Sequence, residues 1–221
     1  MLEHEIIHAF PSFQQLSPSA LQQITEVAVC RSFPAEDHLF FQEDSTPPVL
    51  FVHAGQVRVY RINPNGREQT LLIASPGESI NLPLVFASQH QAHANAIALT
   101  ESVLISISQS DFLKIVTANN EIALWVLGNI SEKIRNLVEL SHDLSLLTVR
   151  SRLAKFLLEQ VNQGETPGVR WTQEDIANQI GTVREIVSRN LRQFTNEGVI
   201  TFERHDIQIT DLTRLQDIAN E

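Results

Sequence analysis

The chain has one cysteine, Cys30, in 221 residues. A lone thiol excludes a disulfide within the chain and an iron–sulfur cluster held by four cysteines of one chain. Such a residue reads as a small buried hydrophobe on a strand. Long apolar runs are also missing: none approaches the ~20 residues of a membrane-spanning helix, so no membrane partner is expected. The first residues, MLEHEIIHAF, lack the basic start and apolar core of a secretion signal, and a cytoplasmic location is expected. Positive charge is scarce, with 16 Lys and Arg against 26 Asp and Glu and a net charge of −10. Between Arg67 and Lys114 there is no Lys or Arg at all. What remains is a chain with 43% hydrophobic residues, neither disordered nor membrane-embedded, and long enough for two modest domains.

The deficit of positive charge is uneven. Residues 1–120 hold 5 basic and 11 acidic side chains, whereas 150–221 hold 9 and 11. In 182–192 three Arg stand against one Glu, and Arg150, Arg152 and Lys155 lie a helix away. Phosphate contacts are short-range and screened, so the local field decides whether a polyanion binds. An acidic chain with this patch is expected to bind DNA with strong salt dependence and low non-specific affinity.

That patch lies within WTQEDIANQIGTVREIVSRNLRQFTNEGVI, residues 171–200, which reads as two helices joined at a glycine. Thr172 caps the first, with Asp175 three residues on and Ile176, Ala177 and Ile180 on one face. Gly181 supplies the left-handed turn. Thr182 or Val183 opens the second helix, whose apolar positions are Ile186, Val187, Leu191 and Phe194. Its other face carries Arg184, Glu185, Ser188, Arg189 and Arg192. This is a helix-turn-helix layout, in which the second helix enters the major groove. Arg can pair with guanine O6 and N7, and Glu can accept from cytosine N4. Taken singly, an Arg on an exposed helix face is usually only solvated, and Thr182 with Glu185 also makes a capping box. Thr172, Gln173, Thr182, Arg184, Glu185, Ser188, Arg189 and Arg192 are the expected DNA-contacting residues.

R-E-x-V-S-R followed by L-x-x-F and G-V-I resembles the recognition helix of the CRP/FNR family of bacterial transcription regulators. The resemblance implies that Arg184, Glu185 and Arg189 read base edges of a TGTGA-type half-site. Ser188 matches the serine of the FNR-like branch, which reads TTGAT-type half-sites. Val183 departs from the pattern, since relatives have a capping Ser or Thr there.

The rest of the chain agrees. Glu3–Phe10 and Ser17–Val27 read as short helices. Val29–Phe33, His38–Phe41, Val49–His53, Gln56–Ile62, Gln69–Ala74, Ala92–Ala98 and Val103–Ile107 read as strands of a sandwich or barrel, with a hairpin turn at Asn63-Pro64-Asn65-Gly66. FVHAGQVRVYRINPNGREQTLL resembles the cyclic-nucleotide-binding jelly roll of the same family. Gln109–Val116 gives a helix and Asn120–Asp143 a long one. In the latter, Leu127, Ile130, Ile134, Leu137, Ser141 and Leu144 follow the spacing of a two-stranded seam. A single face at that spacing could equally pack on the chain's own β-domain. The resemblance favours a homodimer, and so does the need of one recognition helix for a partner to specify a genomic site. A hinge is expected at His142–Leu147, a helix over Thr148–Val161, a linker at 162–168, a β-wing at Val199–Glu203 and Ile207–Thr210 turning at Arg204-His205-Asp206, and a last helix over Asp211–Asn220.

The expected fold is therefore α+β. An N-terminal β-roll (double-stranded jelly roll) sensor domain spans 1–118, a dimerisation helix and hinge 119–145, and a C-terminal winged helix-turn-helix 146–221. The resemblance also implies RNA polymerase as a partner.

In cyclic-AMP binders of this family, Gly-Glu precedes a short helix, and an Arg farther on holds the cyclic phosphate. Pro76-Gly77-Glu78-Ser79 matches the first half, but Gln91 and Ala92 stand where Arg-Ser would be. The polar residues that meet adenine from the dimer helix are here Leu137 and Val138. Cyclic AMP is therefore not the expected effector. Gly77, Glu78, Ser79, Gln91, Ala92, Leu137 and Val138 are the candidate effector-binding positions, although Gly77 and Glu78 read more readily as retained turn geometry than as ligand contacts. Haem-binding gas sensors exist in the family, and His90 and His93, near the apolar Ile80–Phe86, offer imidazoles for haem or a metal; exposed loop histidines more often bind nothing. A cupin-like metalloenzyme is a further class for a jelly roll, but His53, His90 and His93 lack the spacing with a Glu that such a site needs. No enzyme and no metal site are expected.

Overall fold

The computed structural model describes residues 3–66, 68–162, 171–203 and 206–220. Two compact units emerge, Met1–Ile134 and Arg135–Glu221.

The first unit opens with helices α1 (Glu3–His8) and α2 (Pro18–Val27), joined by a 3-10 turn over Pro11–Gln15. Ser17 caps α2, accepting from the Ala20 N–H. Eight strands follow: β1 (Val29–Phe33), β2 (His38–Phe40), β3 (Val49–Ala54), β4 (Val57–Ile62), β5 (Glu68–Ala74), β6 (Ser79–Ile80), β7 (Asn95–Ala98) and β8 (Ser102–Ile107). They form two four-stranded sheets in the orders β1-β8-β3-β6 and β2-β7-β4-β5, every pairing antiparallel. A second 3-10 turn, Leu82–Phe86, follows β6.

Alternation along the strands divides the core in two. Leu50, Val52, Ile80 and Leu104 meet Val57, Val59, Ala74 and Ala96 between the sheets. Val49, Phe51, Ile105 and Ile107 point the other way, onto the N-terminal helices and α3 (Gln109–Ala118) and α4 (Asn120–Leu146). The β4–β5 hairpin turns where expected: the Gly66 N–H bonds the Asn63 carbonyl at 2.9 Å. Gly55, between β3 and β4, has φ +84, and a Cβ there would lie 2.3 Å from Ser102 Oγ; only glycine fits.

Most element ends lie within one or two residues of the sequence reading, and three differences are larger. β6 was not anticipated, being only two residues long. The strand expected over Ala92–Ala98 begins at Asn95, because the backbone of Ala92 bonds Glu43 and Asp44 beside an isolated bridge between Ser45 and Gln91, outside the continuous ladder. α4 continues through Leu146 rather than ending at Asp143, so most of the expected hinge is helical. No Gly or Pro interrupts 142–147, and Arg152 donates to the Leu144 and Leu147 carbonyls, capping the helix end.

The second unit contains α5 (Val149–Asn162), α6 (Gln173–Gln179), α7 (Arg184–Asn196), the hairpin β9 (Ile200–Glu203) and β10 (Asp206–Ile209), and α8 (Leu212–Ala219). Its core gathers Leu153, Phe156, Leu157, Ile176, Val187, Leu191, Phe194, Ile200, Leu215 and Ile218. This is a helix-turn-helix with a β-wing. Most of the linker expected at 162–168, and Arg204 and His205 of the expected wing turn, fall outside the described residues.

Candidate nucleic-acid interface

The local sequence builds the turn directly. Thr172 and Asp175 form a complete capping box: the Asp175 N–H donates to Thr172 Oγ1 at 3.1 Å and the Thr172 N–H to Asp175 Oδ2 at 3.0 Å. Gly181 has φ +68, and the Thr182 N–H bonds back to the Ala177 carbonyl at 2.9 Å. Helix α7 starts at Arg184, with Val183 as N-cap and no side-chain bond to the helix end. The alternative start at Thr182 is not adopted. Thr182 is buried, so the structure gives it to the turn rather than to the exposed face.

Val187, Leu191 and Phe194 are buried on one side of α7. Ile186, expected with them, is half-buried. Arg184, Glu185, Arg189 and Arg192 are exposed and Ser188 half-buried. Together with Gln173 of α6 they line one open cleft, joined by Gln193 and Asn196. Among the described residues no hydrogen bond or ion pair occupies the three guanidinium groups of Arg184, Arg189 and Arg192, nor the Glu185 carboxylate. Unengaged donors on a helix held only by its opposite face are what a groove-reading helix requires. Thr172 is exposed at the start of α6 but is not among the lining residues. Gln193 and Asn196 were not anticipated, although they continue the i, i+3, i+4 stripe of Arg189 and Arg192.

Arg150 on α5 fastens the far end of α7. Its Nη2 donates to Glu197 Oε2 at 2.6 Å, and its guanidinium lies 4.8 Å from the Phe194 ring centroid. That hydrogen bond holds the Glu197 carboxyl below its ordinary range, partial burial opposes it, and Gln193 assists.

The sensor residues separate into groups. Gly77, with φ +96, donates its N–H to the Val52 carbonyl at 2.9 Å, and the Glu78 carboxylate accepts the Ser75 N–H at 2.7 Å. Both groups serve the turn into β6. Ser79 is buried beside them. Gln91 is exposed and bridges Ser45, while Ala92 is buried between the sheets. Leu137 and Val138, in the second unit, are 60% and 63% exposed. His90 and His93 are exposed, and His90 Nδ1 lies 3.2 Å from the Leu84 carbonyl. Ile80, Leu82, Leu84 and Val85 are buried, so the segment considered for haem is spent on the protein's own packing. Among the described residues no group of three or more His, Cys, Asp and Glu is placed to hold a metal. No helix of the described residues is long and apolar enough to cross a membrane.

Along α4, Leu124, Leu127, Ile134, Leu137, Val138, Leu144 and Leu146 are exposed. Ile130, placed in the seam from sequence, instead packs partly buried against the first unit's core. Leu127, Ile134, Leu137 and Leu144 of the expected seam are thus exposed, and Leu124 and Val138 widen the exposed stripe on one side.

Residues 30–119 match the family model "Cyclic nucleotide-binding domain", and residues 151–218 match "Crp-like helix-turn-helix domain". The chain belongs to the CRP/FNR family. Members of this family are DNA-binding transcription regulators, not enzymes. The chain is 27% identical to the cyclic AMP receptor protein of Thermus thermophilus, over 95% of this chain and 96% of the relative. It is 26% identical to the nitrogen fixation regulation protein FixK of Bradyrhizobium diazoefficiens, over 85% and 80%. A CRP/FNR-family transcriptional regulator of solved structure, also from Thermus thermophilus and 22% identical, superposes with a TM-score of 0.74 over 87% of this chain and 99% of that one.

Proposed function

We propose that this CRP/FNR regulator binds inverted-repeat operators as a homodimer, with α7 of each copy reading a TGTGA- or TTGAT-like half-site. The unengaged Arg184, Glu185 and Arg189 on the exposed face of α7, with Ser188 between them, carry this reading. Phosphate contacts set affinity, and these side chains set specificity. Pairing along the exposed α4 stripe spaces two such helices roughly 34 Å apart, one turn of DNA. Sensing belongs to 1–118, pairing to 119–145 and DNA binding to 146–221. The reading puts the protein in the cytoplasm with its DNA, and RNA polymerase is the partner through which it acts on transcription.

The gating effector is a molecule other than cyclic AMP. One relative is named a cyclic AMP receptor protein, but this chain has no Lys or Arg between positions 67 and 114 to meet a cyclic phosphate. Exposed Gln91 and buried Ala92 stand in the segment concerned. An effector gates only by binding two states of the protein unequally.

Anisotropy titrations with duplexes carrying TGTGA or TTGAT inverted repeats, and with shuffled controls, test the reading. Binding to one repeat, reduced by added salt and unaltered by cyclic AMP, is expected. Equal affinity for the shuffled duplex refutes the operator assignment, and a response to cyclic AMP refutes the effector assignment.

A further inference from the structure

Beneath α4, on the outer face of the first sheet, polar groups of this chain meet with too few partners. Phe51 and Ser79 pair directly across β3 and β6, and paired residues share a face. Phe51 packs on Trp125 of α4, ring centroids 5.9 Å apart, so Ser79 lies on the α4 side. Ser79 is 3% exposed, and its Oγ has no hydrogen-bond partner. About two turns along α4 from Trp125, Lys133 reaches the same residue, its Nζ donating to the Ser79 carbonyl at 2.8 Å. His53 lies two residues along β3 from Phe51, at the irregularity where the register shifts between Val52 and Ala54, and its Nδ1 is also buried and unpartnered.

An ammonium carries three donors, and one neutral carbonyl uses one of them. Burial pulls Lys133 below the ordinary lysine range, and the charge of Glu78 acts against it. The Glu78 carboxylate is itself engaged by the Ser75 N–H. An unpartnered buried polar atom is destabilising, and groups of this kind call for a partner that the protein itself does not supply. The ammonium and the hydroxyl are donors, and the imidazole is one in the tautomer that carries its proton on Nδ1. Water can satisfy the last two, but it leaves the ammonium with neutral partners only. An anionic oxygen satisfies all three.

We propose that Lys133, Ser79 and His53 form a site for a small oxyanion, carboxylate or phosphate, held between α4 and the β3–β6 edge. The proposal rests on the reading of this unit as an effector sensor and names the chemical class of the effector. An oxyanion competes with the Ser79 carbonyl for Lys133, and Lys133 stands on α4, the helix that carries the exposed apolar stripe. Ligand binding is thereby coupled to the seating of that helix.

The test uses the full chain, titrated calorimetrically and melted with inorganic phosphate or with succinate, against sodium chloride at matched ionic strength. Saturable binding of phosphate or succinate, with a raised Tm, is expected, and the two probes distinguish the two sources of the oxyanion. Lys133→Met and Ser79→Ala should each weaken it about tenfold or more, and Lys133→Arg should retain most of it. A response no larger than that to chloride overturns the site, as does wild-type affinity in Lys133→Met. If Lys133→Met does not fold, Ser79→Ala and His53→Leu decide: unchanged anion affinity in both overturns the proposal. Operator binding is measured in parallel. A protein that binds an inverted repeat and ignores both anions sinks this inference alone. One that binds an anion and no inverted repeat keeps the site and sinks the operator reading.

Discussion

Arg189 presents an unengaged guanidinium, so truncating it removes only what it makes with a partner. Arg189→Ala is expected to cost about 1–3 kcal/mol on the cognate half-site and less on random DNA. Anisotropy titrations check this, and equal losses on both duplexes would remove it as a base reader. Arg150 is the opposite case, since its guanidinium is already committed to Glu197 and Phe194. With the folded-state pKa of Glu197 lowered from 4.5, the stabilisation is complete above that value and lost as the pH falls through the lowered one. Melts of wild type and Glu197→Gln between about pH 7 and pH 3 should show the wild-type advantage shrinking at the acid end; a constant gap would mean that the pair contributes nothing pH-dependent. The exposed face of α7 was legible in R-E-x-V-S-R because a helix face follows from spacing alone. The cluster at Lys133 was not, because it exists only where α4 crosses a strand pair more than fifty residues earlier in the chain.

At the scale of elements, the helix-turn-helix depends on two local devices. Thr172→Ala removes the capping box and should cost the second unit about 0.5–2 kcal/mol. Gly181→Ala places a Cβ in left-handed backbone, 3.0 Å from Leu144 Cδ2, and should cost about 1–2 kcal/mol. Urea denaturation of each variant measures both, and a change below a few tenths in either would contradict the account. Both devices were readable because caps and turns act over three or four residues. The end of α4 was not readable, since donors from Arg152 on the next helix decide it. Val183 shows the same limit: a capping Thr182 was available, yet the turn buries Thr182 and leaves the helix to start without a side-chain cap.

For the whole molecule, the exposed stripe on α4 carries the expected pairing. Ile134→Glu with Val138→Glu should convert a dimer to a monomer in sedimentation. It should also weaken inverted-repeat binding by tenfold or more, since the second half-site contact is no longer intramolecular. A dimer that survives the double change would place the interface elsewhere. Periodicity found this helix and its seam, of which Leu127, Ile134, Leu137 and Leu144 are exposed, while Ile130 packs partly buried against the first unit's core. The sequence by itself determined the two domains, the jelly-roll strands and the exposed polar face of α7, because short-range propensity and side-chain periodicity act within a few residues. Tertiary packing alone decided which face of α4 stays open, where that helix ends, and which polar groups are buried without a partner, because burial is settled by contacts between segments far apart in the chain.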